Sequence, residues 1–201
     1  MGKTVVIASN NAHKAREIAE ALDFPGWEFC TLRELGIASD PEEDADTFEG
    51  NARIKARAAR EASGGRAVLA DDSGLVVDAL DGAPGVRSAR YAGEDATDAT
   101  NNAKLLDALA DVPDAQRTAR FVCTLVFIDE DGSEEVARGV VEGRIGHAER
   151  GEHGFGYDPL FLPDVFGGER TLAEALPQEK NAVSHRGNAL RALRARIEEG
   201  V

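Results

Sequence analysis

Two adjacent carboxylates, Asp71-Asp72, follow a short apolar stretch, Ala67–Ala70, and precede Ser73-Gly74. A strand's carboxyl edge is where α/β proteins usually build sites. Alternate residues of an extended chain face opposite ways, so one aspartate of the pair would face a site while the other braces the loop. Asp-Asp-Ser-Gly is equally an ordinary turn sequence. A second acidic group, Glu42, Glu43, Asp44 and Asp46, reads most simply as a solvated loop. A hard cation such as Mg²⁺ takes one or two carboxylates plus substrate phosphates, so one residue from each group would suffice to hold it.

Cations are the complementary signal. Lys+Arg number 23 against 37 Asp+Glu, a net charge of −14, and only five of the cations are lysines: Lys3, Lys14, Lys55, Lys104 and Lys180. Such a chain is expected to be repelled by nucleic-acid backbones and anionic membranes, so neither is an expected partner. A small anionic substrate would need a local group of cations or a metal. Lys14, Lys55 and Arg186 each fall on the apolar stripe of a helix, Lys55 beside Asn51. A cation on a buried face is costly unless paired or solvated. Each one alone reads as a snorkelling side chain or a structural ion pair, whereas three near helix N-termini suggest a shared anionic ligand.

The elements that would position these groups are legible from periodicity. Lys3–Ala8 reads as a buried strand stopping at Ser9-Asn10-Asn11, and Ala12–Asp23 as a helix with Ala15, Ile18, Ala19 and Leu22 inward. Trp27–Leu32 is a second strand, and the acidic loop Ser39–Asp46 leads to a helix over Thr47–Ser63 closed by Gly64-Gly65. Ala67–Ala70 is a short strand that breaks at Asp71–Gly74, with Leu75–Leu80 extended beyond it and Asp81–Gly93 a long loop. Ala96–Val112 is a helix with Thr97 as N-cap, and Arg120–Asp129 and Glu134–Ile145 form a hairpin turning at Asp129–Gly132. His147–Pro163 is a Gly-rich loop around one short strand, and Ser184–Glu199 is a closing helix capped by Ser184 and ended by Gly200. Interleaved helices and strands with one hairpin make a mixed-sheet α/β fold.

Several mechanisms are excluded. His13, His147, His153 and His185 have no metal-ligand spacing, and GxxxxGK[ST], strand-borne GxGxxG and GxSxG are absent. Cys30 and Cys123 are 93 positions apart and lie in apolar stretches, so they read as core residues. No apolar run approaches the roughly 20 residues of a membrane span, and no signal peptide is evident, so a cytoplasmic protein is expected.

Six segments taken in order resemble the inosine triphosphate pyrophosphatase family: Ser9–Lys14, Thr47–Ala56, Ala70–Leu75, Gly82–Tyr91, Gly154–Pro159 and Glu179–Arg186. The resemblance spans essentially the whole chain as one domain. It implies a long mixed β-sheet flanked by helices, two lobes with a central cleft, and a homodimer. It also implies Mg²⁺-dependent cleavage of ITP, dITP, XTP and dXTP between the α- and β-phosphates, clearing deaminated purines from the nucleotide pool. Carried over by position, Ser9, Asn10, Asn11, Ala12, His13 and Lys14 match a phosphate-contacting loop, and Asn51 and Lys55, in the second matched segment, are expected substrate-binding residues. Asp72 matches the catalytic carboxylate, taken as general base and metal-linked, and Ser73 a substrate contact. Glu43 matches a metal-binding carboxylate, although loop length leaves Glu42 as an alternative. Phe155, Gly156, Tyr157 and Asp158 match the base-binding segment, with Phe155 or Tyr157 stacking on the purine. Lys180, His185 and Arg186 complete the nucleotide pocket, the last two donating to a 6-oxo group. Gly50 departs from the acidic residue of many relatives. Two other readings stay open: a Maf-type pyrophosphatase acting on pyrimidine or modified nucleotides, and a non-catalytic nucleotide-binding protein.

Overall fold

The computed structural model describes residues 2–9, 11–22 and 24–199, and within these the side chains of Ala12, His13, Arg16, Glu20 and Ala21 are set aside. The order is β1 (Lys3–Ala8), α1 (Ala12–Ala21), β2 (Trp27–Thr31), α2 (Phe48–Ala62), β3 (Ala67–Val77), α3 (Asp98–Ala108), β4 (Thr118–Ile128), β5 (Glu134–Ile145), β6 (Phe161–Pro163), α4 (Pro177–Val183) and α5 (His185–Glu199). The six strands form one mixed sheet in the order β2-β1-β3-β4-β5-β6. β1 runs parallel to both β2 and β3, and β5 antiparallel to β6. Gly200, the expected end of the last helix, lies outside the described residues.

The chain divides into two compact units, each assembled from separate stretches: Met1–Asp72, Cys123–Gly139 and Arg186–Val201 in the first, Ser73–Val122 and Val140–His185 in the second. In the first unit, strand alternation sorts the core into two layers. Val5, Ile7, Ala67 and Leu69 pack with Ala15, Ile18 and Leu22 of α1 and Ala189, Leu190 and Leu193 of α5. Val6, Ala8, Val68 and Ala70 pack instead with Ala52, Ala56 and Ala59 of α2. Ala19, expected inward on α1, is exposed.

In the second unit Leu75, Val77, Leu105, Leu109, Phe121, Tyr157, Leu160 and Phe161 form one core. Arg117 is buried there and spends its guanidinium on three carbonyls, donating to Leu109 at 2.7 Å, Ile145 at 2.9 Å and Gly146 at 2.7 Å. The Leu109 carbonyl is one of those left open at the end of α3, so a cation there also opposes the helix dipole. That helix stops at Ala108 rather than Val112, with Thr97 as its N-cap as expected.

The largest departure is β3. It runs unbroken from Ala67 to Val77, so Asp71-Asp72-Ser73-Gly74 is strand and not a break. Its segment past Val77 is a short 3-10 turn rather than extended chain. The expected hairpin turn is present, with Gly132 N donating to Asp129 O at 3.0 Å.

Candidate active site

β1 ends at Ala8, opposite Ala70 of β3. Asp71 and Asp72 therefore lie past the carboxyl edge of β1, although in the middle of their own strand. Parity then separates them. Asp71 continues the Ala67–Leu69 row toward α1 and α5, and Asp72 continues the Val68–Ala70 row toward α2.

Each carboxylate meets cations on its own side. Asp71, with its side chain fully buried, takes Lys14 at 2.6 Å and Arg186 Nε at 3.3 Å, and accepts from the Cys123 thiol at 3.0 Å. Arg186 also pairs with Glu17. Burial alone would raise the proton affinity of Asp71, but Lys14 and Arg186 outweigh it and hold the carboxyl well below the usual range. The same carboxylate and its own burial push the Cys123 thiol well up, so that cysteine is an inert hydrogen-bond donor.

Asp72 is balanced differently. Its Oδ1 lies 2.8 Å from Lys55 Nζ, which in turn lies 3.0 Å from Glu43 Oε2. Burial raises the Asp72 carboxyl and Lys55 only partly offsets it. Asp72 Oδ2 is buried with no hydrogen-bond partner among the described residues. A carboxylate with raised proton affinity and one unused oxygen is equipped to take a proton or accept a cation. Glu43 is half-buried and at Lys55, whereas Glu42 is exposed.

The remaining expected residues are brought to varied places. Ser9 and Asn11 form the turn into α1, where Asn11 Oδ1 caps the Lys14 amide at 3.1 Å. Asn10 lies outside the described residues, and for Ala12 and His13 only the backbone of α1 is described. Asn51 is buried, and its Oδ1 accepts from Ala45 N at 3.0 Å, so it ties down the acidic loop. Gly50 serves the same purpose by absence, because a Cβ there would meet Ala45 Cβ at 2.5 Å. Ser73 is half-buried and opens the second unit.

The expectation of three cations near helix N-termini is corrected. Lys14 and Arg186 start their helices, but Lys55 is the eighth residue of α2, and the sheet puts it on the opposite layer from the other two. All three are ion-paired with carboxylates. Sequence periodicity located the cations but not their partners. Glu17, three residues after Lys14 on the same helix face, was the available signal for one of them.

In the second unit, Phe155, Asp158 and Lys180 converge. Asp158 Oδ2 accepts from Phe155 N at 2.9 Å and lies 2.9 Å from Lys180 Nζ, whose ammonium sits 4.5 Å from the Phe155 ring centre. Gly154 makes this approach possible, since a Cβ would fall 2.2 Å from that oxygen. Tyr157 is not a stacking ring. It is a core residue whose hydroxyl donates to Ser88 O at 2.8 Å, and burial raises its phenol, so of the two aromatics Phe155 is the half-buried one. His185 is buried and stacked on Phe121, with ring centres 4.8 Å apart.

The profile of the Ham1 family matches residues 5–196. This chain belongs to the Ham1 family. Relatives include a dITP/XTP pyrophosphatase of Exiguobacterium sibiricum, 50% identical over 96% of each chain. Another, of Cutibacterium acnes, is 49% identical over 94% of this chain and 93% of its own. Among solved structures, a HAM1 protein from Coxiella burnetii superposes with a TM-score of 0.88 at 44% identity, covering 98% of this chain and 99% of that one. A nucleoside-triphosphatase / dITP/XTP pyrophosphatase from Mycobacterium abscessus gives 0.77 at 45% identity, covering 94% and 98%. The mixed six-stranded sheet with flanking helices is thus a Ham1 sheet.

Proposed function

We propose that this Ham1 chain is a nucleoside triphosphate pyrophosphatase that hydrolyses ITP, dITP, XTP and dXTP to the monophosphate and pyrophosphate. The observation that carries the reading is the Glu43–Lys55–Asp72 array, with its raised carboxyl and unused Oδ2, in a chain whose relatives are named for this activity. Asp72 is the general base. It orients a water and takes its proton as the oxygen attacks the α-phosphorus, and the bond to the bridging oxygen of the β-phosphate breaks to release pyrophosphate. Lys55 keeps Asp72 and Glu43 together and, with Lys14, supplies compact positive charge to phosphates.

The donor set suits Mg²⁺. Among the described residues no group of three or more His, Cys, Asp or Glu is gathered to cage a metal, and two carboxylates with substrate phosphates are what Mg²⁺ needs. Held by Glu43 and Asp72, it would neutralise phosphate charge and make the water more acidic.

Base recognition falls to the second unit, with Phe155 stacking and Asp158, Lys180 and His185 lining the pocket. Leaving amino groups of ordinary purines unpaired is the stronger form of discrimination. We infer further that the chain acts as one functional domain in a cytoplasmic homodimer.

The test is pyrophosphate release from ITP, XTP, GTP, ATP and UTP, with and without Mg²⁺, for the native chain and Asp72→Asn. Release from ITP and XTP that needs Mg²⁺ and vanishes in the variant supports the reading. Release mainly from UTP indicates a Maf-type activity, and ITP binding without turnover a non-catalytic protein.

A further inference from the structure

We propose that Asp98 and Asn102 of α3 are positioning residues for the segment Phe155–Asp158 and thereby set how well a 6-oxo purine is separated from ordinary purines. This rests on the base-binding role proposed above. Both main-chain polar groups of Gly156 are claimed by these two side chains. Its N–H donates to Asp98 Oδ2 at 2.7 Å, and its carbonyl accepts from Asn102 Nδ2 at 3.2 Å. The two residues are four apart, so one helix face presents a carboxylate and an amide to the N–H and the carbonyl of one residue.

Gly156 has no side chain to anchor it and adopts φ of +62°. A Cβ there would meet nothing within 4 Å, so the glycine serves the backbone angle and the two side chains supply the hold. Before it stands Phe155, whose ring lies under the Lys180 ammonium, and two residues after it Asp158, which binds the same ammonium. A shift of Gly156 moves both.

Asn102 makes one described side-chain hydrogen bond, the one to Gly156. It is buried, and its Oδ1 has no hydrogen-bond partner among the described residues. The amide cannot be turned over, because Gly156 O requires a donor. An apolar residue of similar volume would relieve the unmet Oδ1 but leave the Gly156 carbonyl without this donor, and the two effects oppose each other in stability. What it would lose is the grip on Gly156.

The experiment measures kcat and KM for ITP and GTP, with thermal stability, in the native chain and in Asn102→Leu, Asp98→Leu and Asp98→Asn. Asn102→Leu is expected to melt close to the native temperature, because the unmet Oδ1 and the bond to Gly156 are lost together. Its KM for ITP should rise about tenfold with kcat within about twofold, and its ITP-over-GTP ratio of kcat/KM should fall about tenfold. Asp98→Asn keeps an acceptor for Gly156 N and should stand closer to the native chain than Asp98→Leu does. An Asn102→Leu chain with native KM and native ITP-over-GTP ratio overturns the proposal. So does one whose lowered activity follows a lowered melting temperature. A native chain that cleaves GTP as readily as ITP overturns the base-binding reading itself, and the proposal with it.

Discussion

At the scale of single residues, Asp71 and Asp72 are chemically identical neighbours with opposite electrostatics. Asp71 is buried between Lys14 and Arg186, so Asp71→Asn takes the carboxylate from Lys14 and leaves the buried Arg186 with Glu17. The expected loss is about 3–5 kcal/mol, read from denaturant unfolding at neutral pH. Because the folded protein holds this carboxyl below its unfolded value, its contribution is complete above the unfolded value near about pH 4 and is lost as pH falls through the folded one. The gap between the native chain and Asp71→Asn should therefore narrow in acid; a gap constant from pH 7 to 3 would contradict it. The pair itself stood out in the sequence. Its place within a continuous strand did not, since two aspartates, a serine and a glycine carry every local sign of a turn. Within the strand each aspartate meets a cation on its own face, Lys55 from the preceding helix and Lys14 and Arg186 from helices distant in sequence.

At the scale of elements, the helices whose apolar stripes were strong were legible nearly to the residue, and so was the β4–β5 hairpin. Tyr157 was not, because an aromatic in a glycine-rich stretch looks available until the Ser88 carbonyl and the surrounding core are in place. Helix α4 also escaped, being seven residues long with too little periodicity to register. The acidic loop is tied down by residues of the helix that follows it. Asn51 and Gly50 draw Ala45 onto α2, and Glu43 comes to Lys55 with it. Asn51→Ala should raise the Mg²⁺ concentration for half-maximal rate by roughly tenfold, as loss of support behind a metal ligand commonly does. A metal titration of the rate checks this; an unchanged midpoint would remove Asn51 from that role.

At the scale of the whole molecule, neither unit is a continuous piece of chain. The first depends on α5, whose Ala189, Leu190 and Leu193 fill the layer against β1 and β3. A chain ending at His185 is expected to lose cooperative unfolding and urea resistance in the first unit; native-like unfolding of that truncation would show the helix to be dispensable. The native chain is expected to elute at twice its monomer mass in light scattering, as a homodimer requires. The division of the chain has a further consequence in time. During synthesis the second unit has all its residues once His185 has been made, while the first still lacks Arg186 and the helix that follows. Asp71, made more than a hundred residues earlier, lacks its second cation until Arg186 has been added. The unit that carries the Glu43–Lys55–Asp72 array is therefore completed after the other one, by the turns of α5.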